Sequence, residues 1–147
     1  MKIFWFVILN FAVMSSSFAS VGEEACRNGY LSNPRGSTSV DLARSACADV
    51  RNEGDGACRG GLLSNPQLPN QSPELARSEC FEVTNEGDGI CRGGFLSNPQ
   101  GSTSADLARY ACSDVKNISE GKCRGRFLAN PQEYQNVDRA RDQCKDL

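Results

Sequence analysis

The chain has 147 residues, eight cysteines, no histidine and a formal net charge of −2 at pH 7. The lack of histidine removes Ser-His-Asp and Cys-His catalysis and the commonest general base at neutral pH. The near balance of charge, with no basic cluster, excludes nucleic acid as a partner and polybasic attachment to a membrane surface.

Lys2 opens the chain, residues 3–14 form an apolar run, and Ser17 and Ala19 stand at −3 and −1 of a small-residue cleavage site. This is the pattern of a secretory signal peptide over residues 1–19. The run is shorter than the roughly 20 apolar residues that a membrane span requires. No second apolar stretch follows, so residues 20–147 are expected to carry no membrane span. They hold 15 basic and 18 acidic side chains, a net charge of −3. An even cysteine count behind such a leader predicts a secreted or periplasmic location with the cysteines paired. Zinc sites use cysteines two to four residues apart. The nearest spacing here is eleven, so no zinc and no cofactor is expected.

The cysteines fall at Cys26, Cys47, Cys58, Cys80, Cys91, Cys112, Cys123 and Cys144, in steps of 21, 11, 22, 11, 21, 11 and 21. This is a tandem repeat of 32–33 residues, read as one domain over 20–147 with units 20–52, 53–85, 86–117 and 118–147. From the first cysteine the units read CRNGYLSNP, CRGGLLSNP, CRGGFLSNP and CRGRFLANP. An acidic residue stands three before it: Glu23, Asp55, Asp88 or Glu120. The cysteine and the large residue four later share a helical face, and Asn-Pro ends the segment because a residue before proline avoids the α region. That favours a helix of about two turns over a strand or loop. The paired glycines Gly60-Gly61 and Gly93-Gly94 oppose it, each costing about 1 kcal/mol relative to alanine.

The second segment carries stronger helix signals. Ser39, Ser72, Ser104 and Asn136 are N-caps, Pro73 suits a first helical position, and Asp41, Glu74, Asp106 and Asp138 suit the positive end of the helix dipole. Leu42, Ala46 and Val50 predict the buried stripe. Asn52 with Gly54, and Asn85 with Gly87, predict the helix ends. The fold class is therefore mostly α: four helical-hairpin units stacked as a short solenoid or compact bundle. It shares the general plan of helical-repeat solenoids without their consensus residues. Two symmetric disulfide schemes exist. Pairing across linkers strands Cys26 and Cys144. Pairing within units, Cys26–Cys47, Cys58–Cys80, Cys91–Cys112 and Cys123–Cys144, uses all eight and is the expectation.

Candidate sites follow from the repeated charges. Asp49, Asp55, Glu82 and Asp88 flank glycines in the linkers and faintly resemble oxygen ligands for calcium, although a glycine-terminated helix followed by an acidic cap is the favoured reading. Arg44, Arg77, Arg109 and Arg141 recur in the second helix and would form a row able to grip an acidic glycan. Local pairing, as of Arg44 with Asp41 three residues earlier, competes with that reading. Asn70 and Asn117 begin glycosylation sequons. The expected function is a non-catalytic extracellular binding module for a protein or an acidic glycan. The alternatives are an extracellular hydrolase-like enzyme or an enzyme inhibitor, the latter using the loop 67–72, and a structural envelope or matrix protein. With so few aromatic residues, the bridges should dominate stability at about 3 kcal/mol each. Full reduction should therefore abolish most of the far-ultraviolet circular dichroism of the oxidised protein, and an unchanged spectrum would contradict this.

Overall fold

The computed structural model describes residues 20–68, 72–133 and 135–147. The expected signal peptide and the Asn70 sequon lie outside the described residues. Eight α-helices and no strand occur among the described residues: α1 (Val21–Ser32), α2 (Val40–Cys47), α3 (Glu53–Ser64), α4 (Pro73–Glu79), α5 (Glu86–Ser97), α6 (Ala105–Cys112), α7 (Ile118–Ala129) and α8 (Val137–Cys144), with a 3-10 turn at Pro131–Glu133. No helix among them is long and apolar enough to cross a membrane.

The first helix of each unit is longer than its glycines imply. α1, α3, α5 and α7 have 12 residues each. Asn52, Asn85 and Asn117 do not end the preceding helix. They are N-caps of α3, α5 and α7, their side chains accepting from the amides of Asp55, Asp88 and Glu120. Gly54 and Gly87 lie inside those helices. Each acidic residue reaches back as well: Asp55, Asp88 and Glu120 accept from the amides of Arg51, Thr84 and Lys116. One orphan donor of each first turn, the amide of its third residue, is thus satisfied by a side chain.

The second helices start at the expected caps, Ser39, Ser72, Ser104 and Asn136. Their buried stripe differs from expectation. α2 stops at Cys47, so Val50 lies beyond it and Leu42 faces outward. Ala46 is buried as expected and Val50 packs against the core from beyond the helix, while Ala43 and Cys47 take the place expected of Leu42. The same alanine, as Ala76, Ala108 and Ala140, is buried in the other units.

α1, α3, α5 and α7 form an inner row, each packed on the next, and each carries its own outer helix: α2, α4, α6 or α8. Disulfides join the two layers at Cys26–Cys47, Cys58–Cys80, Cys91–Cys112 and Cys123–Cys144, with Cα separations of 5.8 or 5.9 Å. All eight sulfurs are used, and the bridges take the place of large side chains in a core of cysteine, alanine and a few leucines.

The inner row is held by backbone contact. Gly56 and Gly60 of α3 rest on Gly22 and Ala25 of α1, while Gly54 and Gly61 meet Glu86 and Gly93 of α5. A Cβ on Gly60 would lie 2.5 Å from the Ala25 carbonyl oxygen, and one on Gly54 would lie 2.8 Å from the Glu86 Cα. Amino-terminal glycines meet the amino-terminal turn of the neighbour and carboxy-terminal glycines meet its later turns, so the four helices run in the same direction. Small residues permit backbones to approach this closely, and Cα–H···O contacts then add a modest attraction. An exposed helical Gly→Ala stabilises by about 1 kcal/mol. Here the sign should reverse. Gly61→Ala should destabilise by about 1–3 kcal/mol through overpacking, measured by urea denaturation of the oxidised protein. A stabilised variant would contradict the backbone joint.

Candidate functional site

The linker between units carries the densest polar constellation. Arg59 of α3 is 3 % exposed. Its Nε and Nη2 donate to the two carboxylate oxygens of Asp55 at 2.8 and 3.0 Å, and its Nη1 donates to Asp49 at 2.8 Å. The other Asp49 oxygen accepts from Arg77 Nε of α4 at 2.6 Å. One linker carboxylate thus ties together the inner and outer helices of the following unit. The fourth unit repeats the device: Asp114 accepts from buried Arg124 at 2.7 Å and lies 3.4 Å from Arg141, while Glu120 takes the place of Asp55. Bidentate guanidinium–carboxylate geometry of this kind suits buried ion pairs.

The third unit varies the theme. Glu82 is one methylene longer than Asp49, and its carboxylate reaches outward to Arg109 at 3.3 Å. Arg92 takes only the Glu82 backbone carbonyl besides Asp88, and its Nη1 has no hydrogen-bond partner.

These contacts relocate the residues singled out in the sequence. Asp55 and Asp88 are fully buried carboxylates committed to Arg59 and Arg92, and Asp49 is shared between two guanidinium groups. None presents a free oxygen cage for calcium, and no group of three metal-ligating side chains converges among the described residues. Arg77, Arg109 and Arg141 each bind a linker acid, and Arg109 also pairs with Asp106. Arg44 pairs with Asp41 at 3.1 Å and with no other acid among the described residues. The arginine row is therefore already neutralised by carboxylates. Asn117 accepts from the Glu120 amide and donates to the Leu147 carbonyl at 2.9 Å, so both ends of its side chain are engaged. In the loop 67–72, residues 69–71 lie outside the described residues.

A second constellation was not legible as such. The Asn of the first three Asn-Pro pairs, Asn33, Asn65 and Asn98, turns inward and bridges to the next unit. Asn33 donates to the carbonyls of Leu63 and Asn65, both at 3.0 Å. Asn65 donates to Leu96 and Asn98 at 2.6 and 3.1 Å, and Asn98 to Leu128 and Asn130 at 2.9 and 3.3 Å. Each Oδ1 accepts from the amide two residues on. The signal was present: Asn recurs before Pro in all four units, where the proline alone demands no particular residue.

The surface of the outer helices is different in character. Leu42, Leu75 and Leu107 occupy one position in α2, α4 and α6 and are 53, 40 and 51 % exposed. Next to Leu107, a groove of about 270 Å³ is lined by Phe95, Tyr110, Gln135 and Val137. Gln135 holds its wall in place. Its backbone is left-handed (φ 52°), and its amide accepts from Ser102 N and donates to Phe95 O, both at 2.7 Å. In the fourth unit, Arg139 replaces the leucine and lies over the Phe127 ring, 5.6 Å from its centre.

Fold and joints together define a small, cysteine-rich, disulfide-stabilised helical protein. No protein-family model, curated protein or solved structure matches the chain.

The Arg77 hydrogen bond, outweighing partial burial and joined by Arg59, holds the Asp49 carboxyl at about 2, below its ordinary 3.8. A group whose pKa is lowered by folding contributes stability above its unfolded value and loses it as the pH falls through the folded one. The Asp49 clamp should therefore weaken between pH 3.8 and about 2. Because Asp49 and Arg77 are both half-exposed, solvent screening keeps the effect small. Asp49→Asn should flatten this part of the acid limb in urea midpoints taken across that range. A limb as steep as that of the unmodified protein would refute the clamp.

Proposed function

We propose that the chain is an extracellular, non-catalytic binding module that presents the outer helices to a protein partner. The carrying observation is the row of Leu42, Leu75 and Leu107, three half-exposed leucines at equivalent positions of three neighbouring units. Repeat arrays commonly bind along such extended surfaces, and the three leucines recur at one position of that layer. The four intramolecular bridges and the leader-like amino-terminal sequence support an oxidising, extracellular setting. A rigid, stapled scaffold lowers the ordering cost of binding. An apolar protein surface fits this face better than an acidic glycan, because the arginines beside the leucines already carry carboxylate partners. No catalytic step is assigned: the buried carboxylates are held as ion pairs, and the groove beside Leu107 holds one amide and no acid.

The experiment compares the immobilised oxidised protein with its Leu42→Ser, Leu75→Ser, Leu107→Ser variant. Both are exposed to extracellular proteins of the host and, separately, to heparin at physiological salt. The reading requires a protein retained by the first and lost by the second, with heparin retained by neither. Equal capture by both, or heparin binding indifferent to the leucines, would overturn it.

A further inference from the structure

Twelve of the fourteen glycines lie in the inner row, and all twelve sit where a neighbouring helix's backbone occupies the place of a Cβ. Their distribution follows a rule. On the side facing the following helix, the second and ninth helical positions are Gly22 and Gly29 in α1, Gly54 and Gly61 in α3, and Gly87 and Gly94 in α5. On the side facing the preceding helix, the fourth and eighth positions are Gly56 and Gly60, Gly89 and Gly93, and Gly121 and Gly125. The rule fails at four places. The preceding-side positions of α1 are Glu24 and Asn28, and the following-side positions of α7 are Ser119 and Arg126. All four are exposed. These are the two faces of the row against which none of the described helices packs. Lys122, also exposed, adds a second cation to the α7 face where Ala25, Ala57 and Ile90 stand in the other units. A shallow groove of about 630 Å³ runs there, lined by Ser119, Lys122, Arg126 and Phe127.

Other parts of the joint persist at these ends. Asn130, the last rung of the asparagine ladder, is exposed and donates to none of the described groups, although its Oδ1 accepts from the Gln132 amide as in the inner units. At the α1 end, the Leu31 and Asn33 carbonyls occupy the positions of those that accept at each inner joint, with Asn33 3 % exposed. The two ends are thus complementary halves of one heterologous contact. Such a contact builds rings where its rotation closes and open fibres where it does not.

We propose that Glu24, Asn28, Ser119 and Arg126, with Lys122, close these two faces against a second copy of the chain. A backbone contact with no room for a Cβ cannot form where a glutamate, an asparagine or an arginine stands. Desolvating unpaired charges adds to the barrier: none of Glu24, Lys122 and Arg126 takes part in a described ion pair. The outer faces therefore act as caps, and terminal units of repeat arrays need such polar outer faces to stay soluble.

Two half-open variants test this. Glu24→Gly with Asn28→Gly opens the α1 face. Ser119→Gly, Lys122→Ala and Arg126→Gly together open the α7 face. Each is followed by sedimentation velocity, with intact disulfides and native circular dichroism as the check on folding. Each variant alone should remain monomeric, and an equimolar mixture should give a species of twice the mass. A variant opened at both faces should form concentration-dependent chains. A mixture of two folded half-open variants that stays monomeric would overturn the proposal. So would end-to-end association of the unsubstituted protein, a measurement that depends on no variant.

Discussion

The structure depends on contact between backbones: the carbonyls of one inner helix lie against the glycine Cα atoms of the next. At Gly56, Gly89 and Gly121 the direction of the missing Cβ points at the carbonyl of Gly22, Gly54 and Gly87 respectively. A Cα hydrogen occupies that direction instead. The four helices are held in one direction and one register, since a slip along the axis would bring a side chain against a carbonyl. Disulfides, ion pairs and asparagine ladder are all arranged around this separation.

Such proximity leaves little space for apolar side chains between the inner helices. Their joint has little hydrophobic area to drive it, and its glycines weaken each helix in isolation. Three features compensate. The N-cap asparagines, and the acids that reach back past them to the amides of Arg51, Thr84 and Lys116, fix the first turn. The buried Asp55–Arg59, Asp88–Arg92 and Glu120–Arg124 pairs span one turn on the helix itself. The bridges fasten each inner helix to an outer helix, and a cross-link acts chiefly on the unfolded chain. The buried charges are a consequence of the tight joint. A guanidinium lying along its own helix and capped by a linker acid fills the junction between layers without entering the space between backbones.

Much of the architecture was legible from spacing alone. The cysteine steps marked the units, and the serine caps marked the outer helices. The inner helices were harder to read, because Gly60-Gly61 and Gly93-Gly94 lower helix propensity. Propensity is a property of an isolated helix, and here the glycines serve a neighbour 31 to 36 residues away. Asn52 and Asn85 were ambiguous for a related reason. An Asn followed by Gly ends one helix or caps the next with equal ease, and only the acid at the third position, Asp55 or Asp88, favours the second. The arginine row was visible as a recurrence, but its acids come from the preceding linker. A local pairing argument found Asp41 for Arg44 and could not find Asp49 for Arg77.

The same constraint locates the variable chemistry of the surface. The inner-row positions where a Cβ would strike a neighbour's backbone are glycine, and the residues beneath the bridges are alanine or cysteine, so neither has freedom to differ between inner units. The outer helices do. At one position they carry Ser45, Ser78, Tyr110 and Asp142, and just past the second cysteine they carry Ala48, Phe81, Ser113 and Lys145. Phe81 and Tyr110 are largely exposed, and each is flanked by an arginine of a neighbouring unit, Arg51 and Arg141 at 5.3 and 5.0 Å from the ring centre. A guanidinium over an aromatic face shields one side of the ring and leaves the other side open. Differences between units therefore accumulate on the layer that bears the leucine row, while the layer beneath keeps the spacing that sets that row in line.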